Sequence, residues 1–299
     1  MKMFLTLTLL LLSLSSMAET GLYISSGKRF DVTDVEGAMK EVLDGSRARY
    51  INIFIHGRGK HPEKGLGVIS EIEESFGVKT IMFHWPSWKS AVERPVGNAI
   101  SSAEDLSKFL SELNAYVRRH PLKMFGVKLN LLVHSMGNIV FKEMVENYYH
   151  PGDFKANLFS NLLINAADVP ARDHAGWVDR IDFSKENYIT YNDNDIVLFG
   201  SELLDKFSND YEDYEGTRLG RNLDKAVKKN KSDRSSNAKY LNISKLASRG
   251  HRHYLVEDKK KFAELKSIFT RMFKGRSPYL NKRDGVYKVK DNIYYFRHN

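Results

Sequence analysis

The chain contains no cysteine. That excludes disulfides, metal centres built on thiolate and a cysteine nucleophile, so its stability has to come from packing. It also excludes lipid attachment through a cysteine behind the N-terminal apolar segment. Beyond residue 18 no run is long and apolar enough to span a bilayer, which takes about 20 residues. There is no phosphate-cradling G-x-x-x-x-G-K-[ST] loop and no helical H-E-x-x-H pair. His56, His84 and His134 fall at predicted strand ends and come nearest to a metal-binding set. Without ligand spacing, neither a metal nor another cofactor is expected. The Lys228-Lys229-Asn230-Lys231 run has acidic residues around it and no interleaved aromatics. It is expected to be a solvated loop, with no nucleic-acid partner.

What is present starts with a basic Lys2, an apolar run from Phe4 to Leu14 and the small-x-small pattern Ser16-Met17-Ala18 ahead of Glu19. This is the pattern of a secretory signal peptide over residues 1–18, with export to the periplasm or beyond. The formal charge of the whole chain is +9. Such an excess suits peripheral contact with anionic lipid or polymer, or serves solubility alone. At 42% hydrophobic and 28% charged residues, a sizeable core is available and disorder is not indicated.

Strand and helix signals alternate along the rest of the chain. A hairpin is predicted over 21–30 around Ser25-Ser26-Gly27, then a helix over 35–43. A buried strand over 50–55 runs into His56-Gly57-Arg58-Gly59. A helix over about 66–76, a strand over 80–83 and one long amphipathic helix over 99–117 follow. The strand over 127–133 passes directly into a helix reaching about residue 148. Further strands are expected at 162–165, 188–191 and 240–243, and a last helix at 259–273. This alternation predicts an α/β fold with a mostly parallel sheet covered by helices on both faces. Two stretches stand apart. The polar segment 208–237 reads as an exposed insertion, and residues 282–299 read as a small C-terminal β-hairpin outside the main sheet.

The densest chemical signal is Leu131-Leu132-Val133-His134-Ser135-Met136-Gly137-Asn138. A buried strand stops, a serine follows and a helix starts at once. This is the pattern of a nucleophile elbow, whose tight turn needs small neighbours. Gly137 supplies one. Val133 stands where the G-x-S-x-G pattern has its first glycine. A serine that only caps a helix would need neither Gly137 nor the apolar strand before it.

These residues resemble the α/β-hydrolase superfamily, and within it a bacterial branch of poorly characterised, lipase-like serine hydrolases. Phe83-His84-Trp85-Pro86-Ser87 is similar to that branch's W-P-S motif, and Ile55-His56-Gly57 to the superfamily's H-G after its third strand. The resemblance spans roughly residues 48–270. It implies Ser135 as nucleophile, followed in chain order by an acid and then a histidine base. For the acid it points to Asp195, in an Asp-Ile-Val turn after a strand, with Asp193 and Asp168 as alternatives. For the base it points to His251, preceded by Gly250, with His253 as rival and His298 too near the terminus. The oxyanion hole would use the N–H of Met136 and that of Gly57 or Arg58. The Arg58 side chain would bind a substrate carboxylate or phosphate, or face solvent.

The expected organisation is a signal peptide over 1–18, a hydrolase domain over 19–275 and a C-terminal extension over 276–299. The expected function is an exported serine hydrolase acting on a small-molecule or lipid ester. The competing reading is a catalytically silent surface-binding protein on the same scaffold. Oligomeric state is not legible.

Overall fold

Runs such as Tyr50–Ile55 and Lys128–His134 are buried at nearly every position, as strands are when helices cover both faces. The computed structural model describes residues 19–44, 49–59, 61–205, 211–223, 234–255, 259–281, 286–290 and 292–296. The strands within it are β1 (Gly21–Ile24), β2 (Arg29–Phe30), β3 (Tyr50–Ile55), β4 (Lys79–His84), β5 (Lys128–His134), β6 (Asn161–Asn165), β7 (Asn187–Tyr191), β8 (Lys239–Asn242), β9 (Val286–Lys290) and β10 (Ile293–Phe296). They form a ten-stranded sheet in the order β2-β1-β4-β3-β5-β6-β7-β8-β10-β9. Every pairing from β4 through to β10 is parallel. The pairings of β1 with β2 and β4, and of β9 with β10, are antiparallel.

The helices among the described residues are α1 (Val35–Leu43), α2 (Pro62–Phe76), α3 (Val96–Ser101), α4 (Ala103–Arg119), α5 (Gly137–Asn147), α6 (His174–Val178), α7 (Ile196–Leu204), α8 (Ser244–Ala247) and α9 (Lys259–Phe273). Side chains along each strand alternate between two cores. Ile51, Ile53, Leu129, Leu131 and Val133 join α1 and α3 to α6 on one face. Phe54 and Leu132 meet α2, α8 and α9 on the other. Polar strand residues on that second face have a fixed task. Asn130 donates to Phe273 O at 2.7 Å and Asn161 to Met272 O at 2.7 Å. Asn130 thereby satisfies the Phe273 carbonyl at the end of α9, and Asn161 adds a second bond to Met272 O, which already accepts from Gly275 N at 3.0 Å. Among the described residues no helix is long and apolar enough to cross a membrane.

The structure departs from the sequence expectations in several places. Helix α2 starts at Pro62 rather than near Leu66, because a proline in the first turn is already set to helical φ. The single helix expected over 99–117 is two, α3 and α4, divided at Ser102. The Ser102 hydroxyl donates to Asn98 O at 2.8 Å, a back-bond that bends helices. Helices α6, α7 and α8 had no counterpart in the expectations. The C-terminal hairpin is not outside the sheet, since β10 pairs in parallel with β8 and extends it. The exposed insertion expected over 208–237 also needs correction. Tyr214, Arg218, Leu219 and Leu223 are buried, because backbone bonds such as Leu219 N to Val169 O hold the described stretch 211–223 against the loop after β6. Lys228–Lys231, residues 1–18 and His298 lie outside the described residues.

Candidate active site

Ser135 sits where β5 ends and α5 begins, with φ 55°. A left-handed conformation costs a non-glycine residue roughly 1–2 kcal/mol, so its surroundings must hold it there. Ser135 N donates to Asn165 O at 3.1 Å, and its carbonyl accepts from Asn138 N at 3.0 Å and Asp168 N at 3.2 Å. The Asn138 side chain adds a bond to the same carbonyl at 3.0 Å. Gly137 is needed because a Cβ there would lie 2.6 Å from His56 O and 2.8 Å from Ile55 O. Val133 is tolerated in place of glycine because it points into the first core as an ordinary strand residue.

His251 lies on the loop after α8. Its Nε2 is 2.9 Å from Ser135 Oγ. Its Nδ1–H donates to Asp195 Oδ2 at 2.7 Å. Asp195 caps α7, and its Oδ1 accepts from the N–H groups of Val197 and Leu198 at 2.9 and 3.0 Å. One oxygen is fixed by the helix start and the other faces His251. Burial raises the Asp195 carboxyl pKa, but the hydrogen bond from His251 and the nearby His253 ring outweigh it and hold the group well below the usual carboxylate range.

The alternatives are occupied elsewhere. Asp193 accepts from Asn242 Nδ2 at 3.2 Å. Asp168 is enclosed by Arg218 Nε at 2.6 Å, Arg94 Nη2 at 3.2 Å and Ser201 Oγ at 2.7 Å. His253 is fully buried behind Asp195, its Nε2 3.7 Å from the same Oδ2. It ends a polar row across three strand ends. His134 Nδ1–H donates to Asn165 Oδ1 at 3.0 Å, Asn165 Nδ2 to Thr190 Oγ1 at 2.7 Å, and Thr190 faces His253 Nδ1 at 3.0 Å. With the threonine donating, His253 keeps its proton on Nε2, toward Asp195. Burial pushes the pKa values of both His134 and His253 down.

Gly57 crosses directly beside the serine. A Cβ on it would come within 2.6 Å of Ser135 Cβ. No hydrogen bond among the described residues engages the N–H of Gly57, Arg58 or Met136. The two strand-end motifs clamp each other to keep this loop in place. Trp85 Nε1 donates to His56 O at 2.8 Å. His56 Nδ1–H donates to Gly57 O at 2.6 Å, leaving Nε2 to accept from His84 Nδ1–H at 3.0 Å. Ser87 Oγ donates to Gly59 O at 3.0 Å. Both rings are neutral because burial lowers the His56 pKa to about 4 and that of His84 to about 3. Arg58 reaches the Ser90 and Ala91 carbonyls and stacks on Trp88. It therefore braces the neighbouring loop. Among the described residues no group of three His, Asp or Glu side chains is disposed to hold a metal.

Asn192, which the sequence reading did not single out, ties the acid's strand to the histidine's loop. Its Nδ2 donates to Ser248 O at 3.0 Å and Gly250 O at 2.9 Å. Its only sequence signal is its place at the end of an apolar strand. Above Ser135 and His251 opens a cleft of about 1050 Å³, generous for a small ester.

Among solved structures, the chain is similar to esterase PE8, at 15% identity over 64% of this chain and 96% of that one, with a TM-score of 0.33. A second likeness is a propionate-bound esterase, Est2, from the Planctomycetes species Thermogutta terrifontis. It has 13% identity over 54% of this chain and 69% of that one, with a TM-score of 0.26. Likenesses this weak carry no argument about function. No curated protein matches the sequence. The sequence profile of one family covers residues 32–272, and by that match the chain belongs to the alpha/beta hydrolases of unknown function (DUF900).

Proposed function

We propose that this protein is an exported serine hydrolase that cleaves an ester or another acyl bond. The reading rests on one observation above all: the continuous hydrogen-bond chain from Ser135 Oγ through His251 to Asp195, at 2.9 and 2.7 Å, on the floor of an open cleft. In this reading His251 Nε2 takes the Ser135 proton as Oγ attacks the carbonyl carbon. The negative oxygen of the tetrahedral intermediate is held by the N–H groups of Met136 and of Gly57 or Arg58. Collapse breaks the acyl–oxygen bond, and the leaving alcohol departs with the proton from His251. Water, deprotonated by the same ring, then releases the acid and restores Ser135. Asp195 keeps the ring in the Nδ1–H tautomer and stabilises its cation.

A fluorophosphonate probe tests this directly. It is expected to label Ser135 in wild type and nothing in Ser135→Ala. That variant is expected to lose at least about 10³-fold in ester turnover while unfolding at a similar temperature. A folded protein left unlabelled would favour the silent binding scaffold instead. Export is proposed from residues 1–18, and N-terminal sequencing of extracytoplasmic material is expected to begin at or near Glu19.

A further inference from the structure

The cleft above Ser135 has one-sided charge. Among the described residues four fixed cations line it, Arg58, Lys64, Arg249 and Arg252, and no aspartate or glutamate does. Two of the four have evident structural partners. Arg58 bonds to loop carbonyls, and Arg252 pairs with Glu71 at 3.2 Å. Lys64 and Arg249 are different. Both are exposed, and among the described residues neither makes an ion pair. Arg249 also borders a shallow depression shared with Asp193 and Asp195. Those carboxylates are already engaged by Asn242 and His251.

Their positions are informative. Lys64 lies in the first turn of α2, at the positive end of the helix dipole, where a cation is disfavoured. Arg249 lies on the same short loop as His251, one residue from Gly250. Two cations with no ion-pair partner among the described residues thus line a site whose walls also include the apolar side chains of Val68, Trp88, Ile196, Val197 and Leu255. A cleft lined by one sign of charge between low-dielectric walls concentrates ligands of the opposite sign.

We infer that the substrate is an amphiphilic acyl ester carrying an anionic group, a carboxylate or a phosphate, held by Lys64 and Arg249 while its hydrocarbon part packs on the apolar walls. This rests on the hydrolase reading above and narrows its substrate class. The anion sits on the acyl side in a soluble half-ester and on the alcohol side in a phospholipid, so the test carries both.

Values of kcat/KM are measured for mono-4-nitrophenyl glutarate against 4-nitrophenyl butyrate. They are also measured for dihexanoyl phosphatidylglycerol against dihexanoyl phosphatidylcholine, below its micellar concentration. In at least one pair the anionic member is expected to be favoured on the order of tenfold, chiefly through KM, the scale of two partly exposed ion pairs. In Lys64→Glu and Arg249→Glu that ratio should collapse, and raised salt should erode it in wild type. Lys155→Glu, at the opposite end of the sheet, controls for net charge and should keep the wild-type ratio. Turnover of the neutral esters with no anionic preference, or a preference that survives both reversals, overturns this inference and leaves the hydrolase reading standing. No turnover of any ester together with an unlabelled Ser135 overturns both.

Discussion

Replacing Arg218 tests whether the elbow is held from behind by a closed set of buried charges. Arg218 is fully buried. It meets Asp168 at 2.6 Å and Asp205 at 2.6 Å, while Arg94 meets the same two carboxylates at 3.2 and 3.0 Å. Two cations and two anions balance. Arg218→Met keeps much of the side-chain volume but leaves two carboxylates to share Arg94. Breaking a buried pair in this way costs about 3–5 kcal/mol, which for a chain of this size lowers the melting temperature by roughly 10 °C. Urea unfolding of Arg218→Met, of Asp205→Leu and of the double variant supplies the measurement. The double variant restores charge balance between Arg94 and Asp168 and is expected to be more stable than the sum of its parts predicts. Activity per folded molecule should fall by less than tenfold, because only the backbone N–H of Asp168 touches Ser135. A single variant within 1 kcal/mol of wild type, or strictly additive losses, would refute the reasoning. A loss of several orders of magnitude in turnover with the fold intact would bring Asp168 back as the acid.

Other consequences follow from the same geometry. Gly57→Ala forces a Cβ to 2.6 Å from Ser135 Cβ and 3.2 Å from His134 O, neither of which can swing aside. The loop must move, and a drop in kcat of about 100-fold is expected, with labelling of Ser135 slowed in parallel. His251→Ala should cost turnover about as much as Ser135→Ala, since the two act as a unit. His253→Ala should cost stability first, as a ring is removed from a fully buried site, and turnover only about tenfold through a less anchored Asp195. A dead but folded His253→Ala beside an active His251→Ala would reverse their roles. For pH, the folded-state pKa of His56 is about 4, below the ordinary value. Between pH 6.5 and 4 the unfolded chain therefore binds a proton that the folded chain does not, so stability rises with pH across that window. The loss on going down to pH 4 is about 3 kcal/mol from His56 alone. Urea midpoints taken from pH 7 to pH 4 should show this slope flattened in His56→Gln.

The parts of the candidate site that are legible in the sequence are those encoded within a few adjacent residues. Ser135 is announced by a strand, a serine and Gly137 in direct succession, and His251 by the glycine before it. Other parts depend on residues that come together only after folding. Asn192 acts through carbonyls at Ser248 and Gly250, more than fifty residues on. The H-G and W-P-S motifs were visible as strings, but their mutual clamp through Trp85, His56 and Ser87 was not. Helix α7 is not legible in the sequence because its apolar stretch Ile196–Leu204 has no clear polar face, so the periodicity that marks a surface helix is absent. Its starting signal, the capping Asp195, is also the residue that the chemistry claims.

The parallel pairing of β10 with β8 also bears on how the molecule is handled and how it stays apart from its copies. Without the last two strands, β8 would present a row of open backbone donors and acceptors beside Tyr240 and Leu241, a template onto which another chain could add. The sheet instead ends at β9, a short antiparallel strand whose Lys288 is exposed and places a charge where a neighbouring strand would have to dock. Trimming the C-terminus to an apparent hydrolase boundary near residue 275 would therefore turn a self-limiting sheet into one able to grow. Insoluble expression of such a truncation would report an uncovered edge rather than a damaged active site.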